Sequence, residues 1–327
     1  MLNRRYPLPA VAAARPPRRL ASRRVTLIAI AACVSASLSA GCTGTTPERP
    51  AAAAPVASAP VPTDLPGRDP ETPTGSDISF AGPSGQLHGV WAAPKGQPKG
   101  AVLVVHDSQG LTPHISDVVG RFAGAGYAAL GVDLLSGPGS PPTDPTQAPM
   151  ALAALPPTNV IASMRAGVVE LGRRAPGVKI GAVGFGFGAG ALWRLLGAGD
   201  PTLSAAVPFY GPTAEDADFS RSHAAVLALY PENDHKLSES QDNADMAMMK
   251  ANLVHNSALF PHAEAGFFDD TGTHYNADAA AKAWQATLDW FKKYLVTAPR
   301  PARPLPASSS NAPSDHPTKA STDPKTS

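Results

Sequence analysis

Cysteine is scarce in this sequence, long apolar runs are nearly absent, and neither sign of charge dominates. The two cysteines, Cys33 and Cys42, both lie near the N-terminus. No disulfide framework can therefore staple the rest of the chain, and whatever folds there must be held by its core. The net charge is +1; without the seven arginines of the first 41 residues, 20 basic residues face 26 acidic ones, a balance of about −6. Such a chain has little attraction for a phosphate backbone, and no nucleic-acid partner is expected. No internal repeat is present, which excludes solenoid and propeller architectures.

What the N-terminus does contain is a leader. Seven arginines with no acid precede and enter an apolar run over residues 25–40, followed by "LSAGC" at residues 38–42. This is the pattern of a signal peptide, and the run is too short to span a bilayer comfortably at about 1.5 Å per residue. Ala40 and Gly41 directly before Cys42 resemble a bacterial lipoprotein signal, in which the cysteine is acylated and becomes the new N-terminus. Ser39 departs from that pattern, since the expected leucine stands one place early at Leu38. An ordinary secretory signal or an uncleaved anchor remains open, as does the export route. The expectation is a signal peptide over residues 1–41 and an exported chain, lipid-anchored through Cys42 to the outer face of the cytoplasmic membrane.

Residues 42–77 are dominated by Ala, Pro and Thr, and residues 297–327 by Pro, Ser and Ala. Neither has enough large apolar residues to offset the entropy of ordering, so both are expected to be disordered, the first as a tether. Residues 78–296 remain for one domain. There, apolar runs of strand length alternate with segments of helical period. A hairpin around Pro83, Ser84 and Gly85 is followed by strands at 101–105, in "YAALGVDLL", and at 179–183, 205–209, 224–230 and 257–260. Helices are expected from Pro113, capped by Thr112, to Gly124, and at 160–171, 189–196, 239–254 and 279–295. This order predicts an α/β fold with a mostly parallel central sheet and helices on both faces. Residues 136–157 are too long and Pro-rich for a simple link and are expected to form a rim or lid.

The stretch "GAVGFGFGAGALW", residues 181–193, places a tight turn between a strand and a helix. Gly184, Gly186 and Ala189 fit a dinucleotide loop; Gly184 to Gly188 fit a nucleophile elbow with glycine where the nucleophile should stand. A dinucleotide loop opens its unit early and needs an acid at the end of the next strand. Here the loop follows several strands, and the next one ends in "PFYG". No acid stands there, and no nucleotide cofactor is expected.

The motifs "VVHDSQGLTPHISDVVGRFAGAGYAALGVDLLS", "VGFGFGAG", "AAVPFYG", "LALYPENDH" and "LFPHAEAGFFDDTGTHYNADAAAKAWQATLDWF", in this order, resemble the dienelactone hydrolase family of α/β-hydrolases over nearly all of residues 90–295. The resemblance implies an ester- or lactone-hydrolase fold with a cysteine in a GxCxG elbow, an acid after a later strand and a histidine in a late loop. Carried over by position, the cysteine falls on Gly186, the acid on Asp234 and the histidine on Ala265. Only the orienting acid is kept. Neither hydrogen nor methyl can attack a carbonyl or carry a proton, and losing such groups costs on the order of 10⁶ in turnover.

The oxyanion hole that the family implies is backbone, from the NH of Phe187 and of Ser108. Asp107 occupies the place of an acid that lines the family's site, and Asp269 the place of an arginine that serves dienelactone itself. A small carbonyl or carboxylate ligand is therefore the expected partner, alongside the membrane; no protein partner is legible.

A relocated site remains an alternative, with Ser108 or Tyr210 as hydroxyl and His262 or His235 as base. Their plainer reading is a loop hydroxyl, a packed strand end and two solvated histidines. Asp234, His235, His262, Asp269, Asp270 and His274 are metal-ligand types without a recognised ligand spacing, so no metal is expected. Trp193 and Trp284 read as core and His106 as a strand-closing hydrogen bond. Phe185, Phe187, Phe267 and Phe268 are bulky enough to fill a pocket.

Overall fold

The computed structural model describes residue 72, residues 74–137 and residues 144–296. The leader, Cys42, nearly all of the tether, residues 138–143 and the C-terminal tail lie outside the described residues.

Eight strands form one sheet in the order β1-β2-β4-β3-β5-β6-β7-β8. β1 (Ser76–Gly82) and β2 (Gly85–Ala92) make the antiparallel hairpin, and β2 also runs antiparallel to β4 (Ala128–Val132). From β4 through β3 (Ala101–Val105), β5 (Ile180–Phe185), β6 (Leu203–Phe209), β7 (Ala225–Pro231) and β8 (His255–Phe260) every pairing is parallel. Every residue of β3, β4 and β5 is buried, which is why these segments read as unbroken apolar runs rather than alternating ones.

The crossover from β3 to β4 runs one way along the sheet and that from β4 to β5 the other. Right-handed crossovers then put α1 (Pro113–Gly124) and α3 (Pro157–Arg174) on opposite faces. α4 (Phe187–Ala198) and α5 (His235–Lys250) follow α3, while α6 (Ala277–Tyr294) joins α1: Phe122 packs on Trp284 at 4.8 Å and on Phe291 at 5.9 Å between ring centres. The reversal lies between β3 and β5, so their C-terminal ends bound the crevice in which such sheets place a ligand.

One expectation needs correction. α5 starts at His235 and ends at Lys250 rather than spanning 239–254, because Asp234 caps it by accepting from the Leu237 N–H at 3.2 Å and Asn252, at φ 53°, turns the chain away. Within the proline-rich segment expected as a rim or lid, a 3₁₀ turn (Pro145–Gln147) and the short α2 (Ala148–Ala153) form. Asp144 accepts from the Thr146 N–H, and prolines sit at the first turns.

Candidate active site

β5 ends at Phe185 and α4 begins at Phe187, so the whole turn rests on Gly186 at φ 49°, ψ −107°, a region that residues with side chains enter only under strain. Its flanking glycines answer to sterics. A Cβ on Gly184 would lie 2.5 Å from the Gly188 carbonyl oxygen, and one on Gly188 would lie 2.4 Å from the carbonyl oxygens of Val105 and His106. At Gly186 itself a Cβ would meet only the Cβ of Asp107 within 4 Å, at an ordinary 3.6 Å. The turn therefore keeps the close strand–helix approach of a nucleophile elbow, with room for a side chain, and presents hydrogen.

The N–H of Phe187 opens α4, and that of Ser108 lies in the loop after β3; neither donates to another described residue. An N–H at the first turn of a helix, as Phe187 offers, is a favourable donor to negative charge.

Asp234 is partly buried at the end of the β7–α5 turn, where its carboxylate caps α5. Ala265 lies half-buried in the loop between β8 and α6. Aromatic packing anchors that loop beside the elbow. Phe268 stacks on Phe185 at 5.4 Å and 17°, and Phe267 meets Tyr210 edge-on at 5.2 Å. Phe185, Phe267 and Phe268 are buried and Phe187 half-buried.

The relocated-site residues do not meet one another. His262 is 90% exposed and leans on Glu232 at 3.9 Å; His235 is exposed at the start of α5. Tyr210 is buried at φ 39°, and burial, followed by the charges of Asp107 and Asp269, pushes its hydroxyl well above the ordinary range, so the phenol stays protonated and is a poor nucleophile. His106 closes its strand as expected. Its Nδ1–H donates to the Asp107 carbonyl at 2.7 Å, its Nε2 accepts from the Leu134 N–H at 3.1 Å, and burial lowers its pKa, which leaves a neutral ring with both nitrogens occupied. Trp193 and Trp284 are buried, as expected of core residues.

Of the candidate metal ligands, the structure brings Asp269 and Asp270 together, and the histidine beside them is His114 rather than His235, His262 or His274. His114, buried in the first turn of α1, holds Asp270 at 2.9 Å and lies 3.5 Å from Asp269. The other oxygen of Asp270 takes a short ion pair from Arg121, which is itself buried and also bonds Asp117. Burial works against an ionised Asp270, but His114 and Arg121 more than offset it and hold its pKa at about 2. Asp107 is raised instead, chiefly by burial, with Asp269 adding to it and His114 opposing. His114 and Arg121 escape a sequence reading because their partner lies 156 and 149 residues away. Only an arginine on the apolar face of a helix hints at it.

The sequence profile of the dienelactone hydrolase family matches residues 87–295. A protein of Escherichia coli strain K12, provisionally named carboxymethylenebutenolidase, is 29% identical over 212 residues, 60% of this chain and 78% of that one. Its namesake in Methylorubrum extorquens is 27% identical over 62% of this chain and 75% of its own. Among solved structures, a Klebsiella pneumoniae protein provisionally named a dienelactone hydrolase superposes with TM-score 0.62 at 25% identity, covering 67% of this chain and 98% of that one. A dienelactone hydrolase-like promiscuous phosphotriesterase from metagenomic libraries gives TM-score 0.60 at 21% identity over 68% and 98%, a likeness of fold alone. With the elbow, the strand order and the late loop all in place, the chain belongs to the dienelactone hydrolase family of the α/β-hydrolase superfamily.

Proposed function

We propose that this chain is a catalytically degenerate member of its family, exported and lipid-anchored through Cys42, whose sheet mouth has kept a carbonyl-binding role without bond-breaking chemistry. The observation that carries the reading is Gly186, which has space for a nucleophile and none present, in a turn whose two neighbouring glycines are sterically enforced. Ala265 in the late loop removes the proton carrier as well, and Asp234 caps a helix. The N–H groups of Phe187 and Ser108 favour a carbonyl oxygen. Asp107 and Asp269 disfavour a carboxylate, which narrows the ligand to a neutral carbonyl compound. For the anchor the support is the leader and "LSAGC" alone; no described helix is long and apolar enough to cross a membrane.

A panel of activated esters and lactones tests the reading. The expected result is no turnover above buffer for the natural chain. Enzyme-like turnover abolished by Ser108→Ala or His262→Ala would replace it with a relocated hydrolase. Globomycin-sensitive processing and palmitate labelling lost in Cys42→Ser test the anchor.

A further inference from the structure

From the corner where the start of α1 meets the β8–α6 loop, we infer that this protein binds one divalent transition-metal ion of the zinc class through His114 Nδ1, Asp269 and Asp270, with a fourth position left for another molecule. The inference goes beyond the proposed function and holds whether the chain is inert or active.

The first support is geometry. A metal held at about 2.0 to 2.2 Å by nitrogen and carboxylate oxygen sets neighbouring ligand atoms roughly 3 to 3.5 Å apart. His114 Nδ1 lies 2.9 Å from Asp270 Oδ1 and 3.5 Å from Asp269 Oδ1, and ligand atoms of all three residues lie within 4.8 Å of one another. One imidazole with two carboxylates suits zinc, cobalt or manganese better than magnesium, which prefers oxygen alone. Three protein ligands also match the open zinc sites that keep a fourth position for another molecule.

Orientation comes next. Arg121 fixes the far oxygen of Asp270, and Asp117 holds Arg121 in turn, so the carboxylate's near oxygen is aimed at the imidazole before any ion arrives. Outer partners of this kind commonly orient metal-binding carboxylates. The proton now on Nδ1 would pass to Nε2, freeing the Nδ1 lone pair for the metal.

Charge supplies independent support. Asp107, Asp117, Asp269 and Asp270 gather around one guanidinium and one imidazole, and the field of Asp269 reaches both Asp107 and Tyr210. A partly buried excess of carboxylates favours a cation.

The test uses the protein as purified in detergent, with any free thiol alkylated and metal stripped by chelator. Zn²⁺ is titrated by calorimetry and Co²⁺ by visible absorption. The expected result is one ion per chain, with the intense d–d band of a four-coordinate nitrogen–oxygen site. Asp269→Asn should weaken binding roughly 10- to 100-fold while leaving unfolding in chelator unchanged, since that side chain is outside the Arg121 ion pair and asparagine keeps an oxygen to accept from the Thr271 N–H and hydroxyl. His114→Gln should do the same; should it fail to fold, Asp269→Asn decides. The absence of saturable binding, binding unaffected by Asp269→Asn, or uptake of an alkylammonium ion in place of Co²⁺ would overturn the inference.

Discussion

The elbow after β5 and the corner between α1 and the β8–α6 loop serve the same end of the sheet, and they have kept opposite things. At the elbow the backbone retains the glycines that a nucleophile turn demands, and the position between them carries only hydrogen. At the corner, ionisable side chains are packed together, buried and mutually bonded. The fold itself enforces Gly184 and Gly188, because backbone meets backbone there whatever the turn carries. Cysteine and histidine are enforced only by chemistry. Buried charges sit between these cases: once His114, Arg121 and Asp270 are sequestered together, removing one strands the others.

Substitutions can break this contrast. Gly188→Ala has the largest expected effect, since its methyl would press on two carbonyl oxygens of β3 and its flank. A loss of roughly 3 kcal/mol or more, or no soluble protein, is expected in denaturant unfolding.

Asp270→Asn should come next, costing about 2 kcal/mol at neutral pH. The sign follows from a folded pKa of about 2 against an ordinary 3.8: the stabilisation is full above about pH 4 and disappears as pH falls through about 2. Unfolding curves of the natural and variant proteins should therefore converge over that window, and a constant offset would mean the ion pair is not the cause.

Gly186→Ala is the milder partner of Gly188→Ala. It meets no clash and bears only the strain of a positive φ, about 1 to 3 kcal/mol by thermal or denaturant unfolding. Equal losses at the two positions would erase the distinction between an enforced glycine and a permitted one. Smallest of all, His235→Ala and His262→Ala should change stability by less than about 0.5 kcal/mol and alter no ester turnover, since both rings face solvent.

Much of this was legible in the sequence for identifiable reasons. Valine-rich runs such as 101–105 are buried on both faces and cannot be mistaken for surface strands; Thr112 with Pro113 marks a helix start by its own hydrogen bonding. The elbow was legible because its glycines are adjacent in the chain. α5 was placed late because "DHKLSES" carries no apolar period in its first turn, and only the Asp234 cap reveals the start. The His114–Arg121–Asp270 cluster shows in the sequence only as an arginine on the apolar face of α1, because its members are brought together by α1 packing against a loop some 150 residues further on.

The most direct measurement is ester hydrolysis by the Gly186→Cys, Ala265→His double variant beside the natural chain, with Asp234 untouched in both. A sound scaffold that has lost its chemistry predicts turnover of activated esters by the double variant alone. Equal turnover by the natural chain, or none by either, would contradict it.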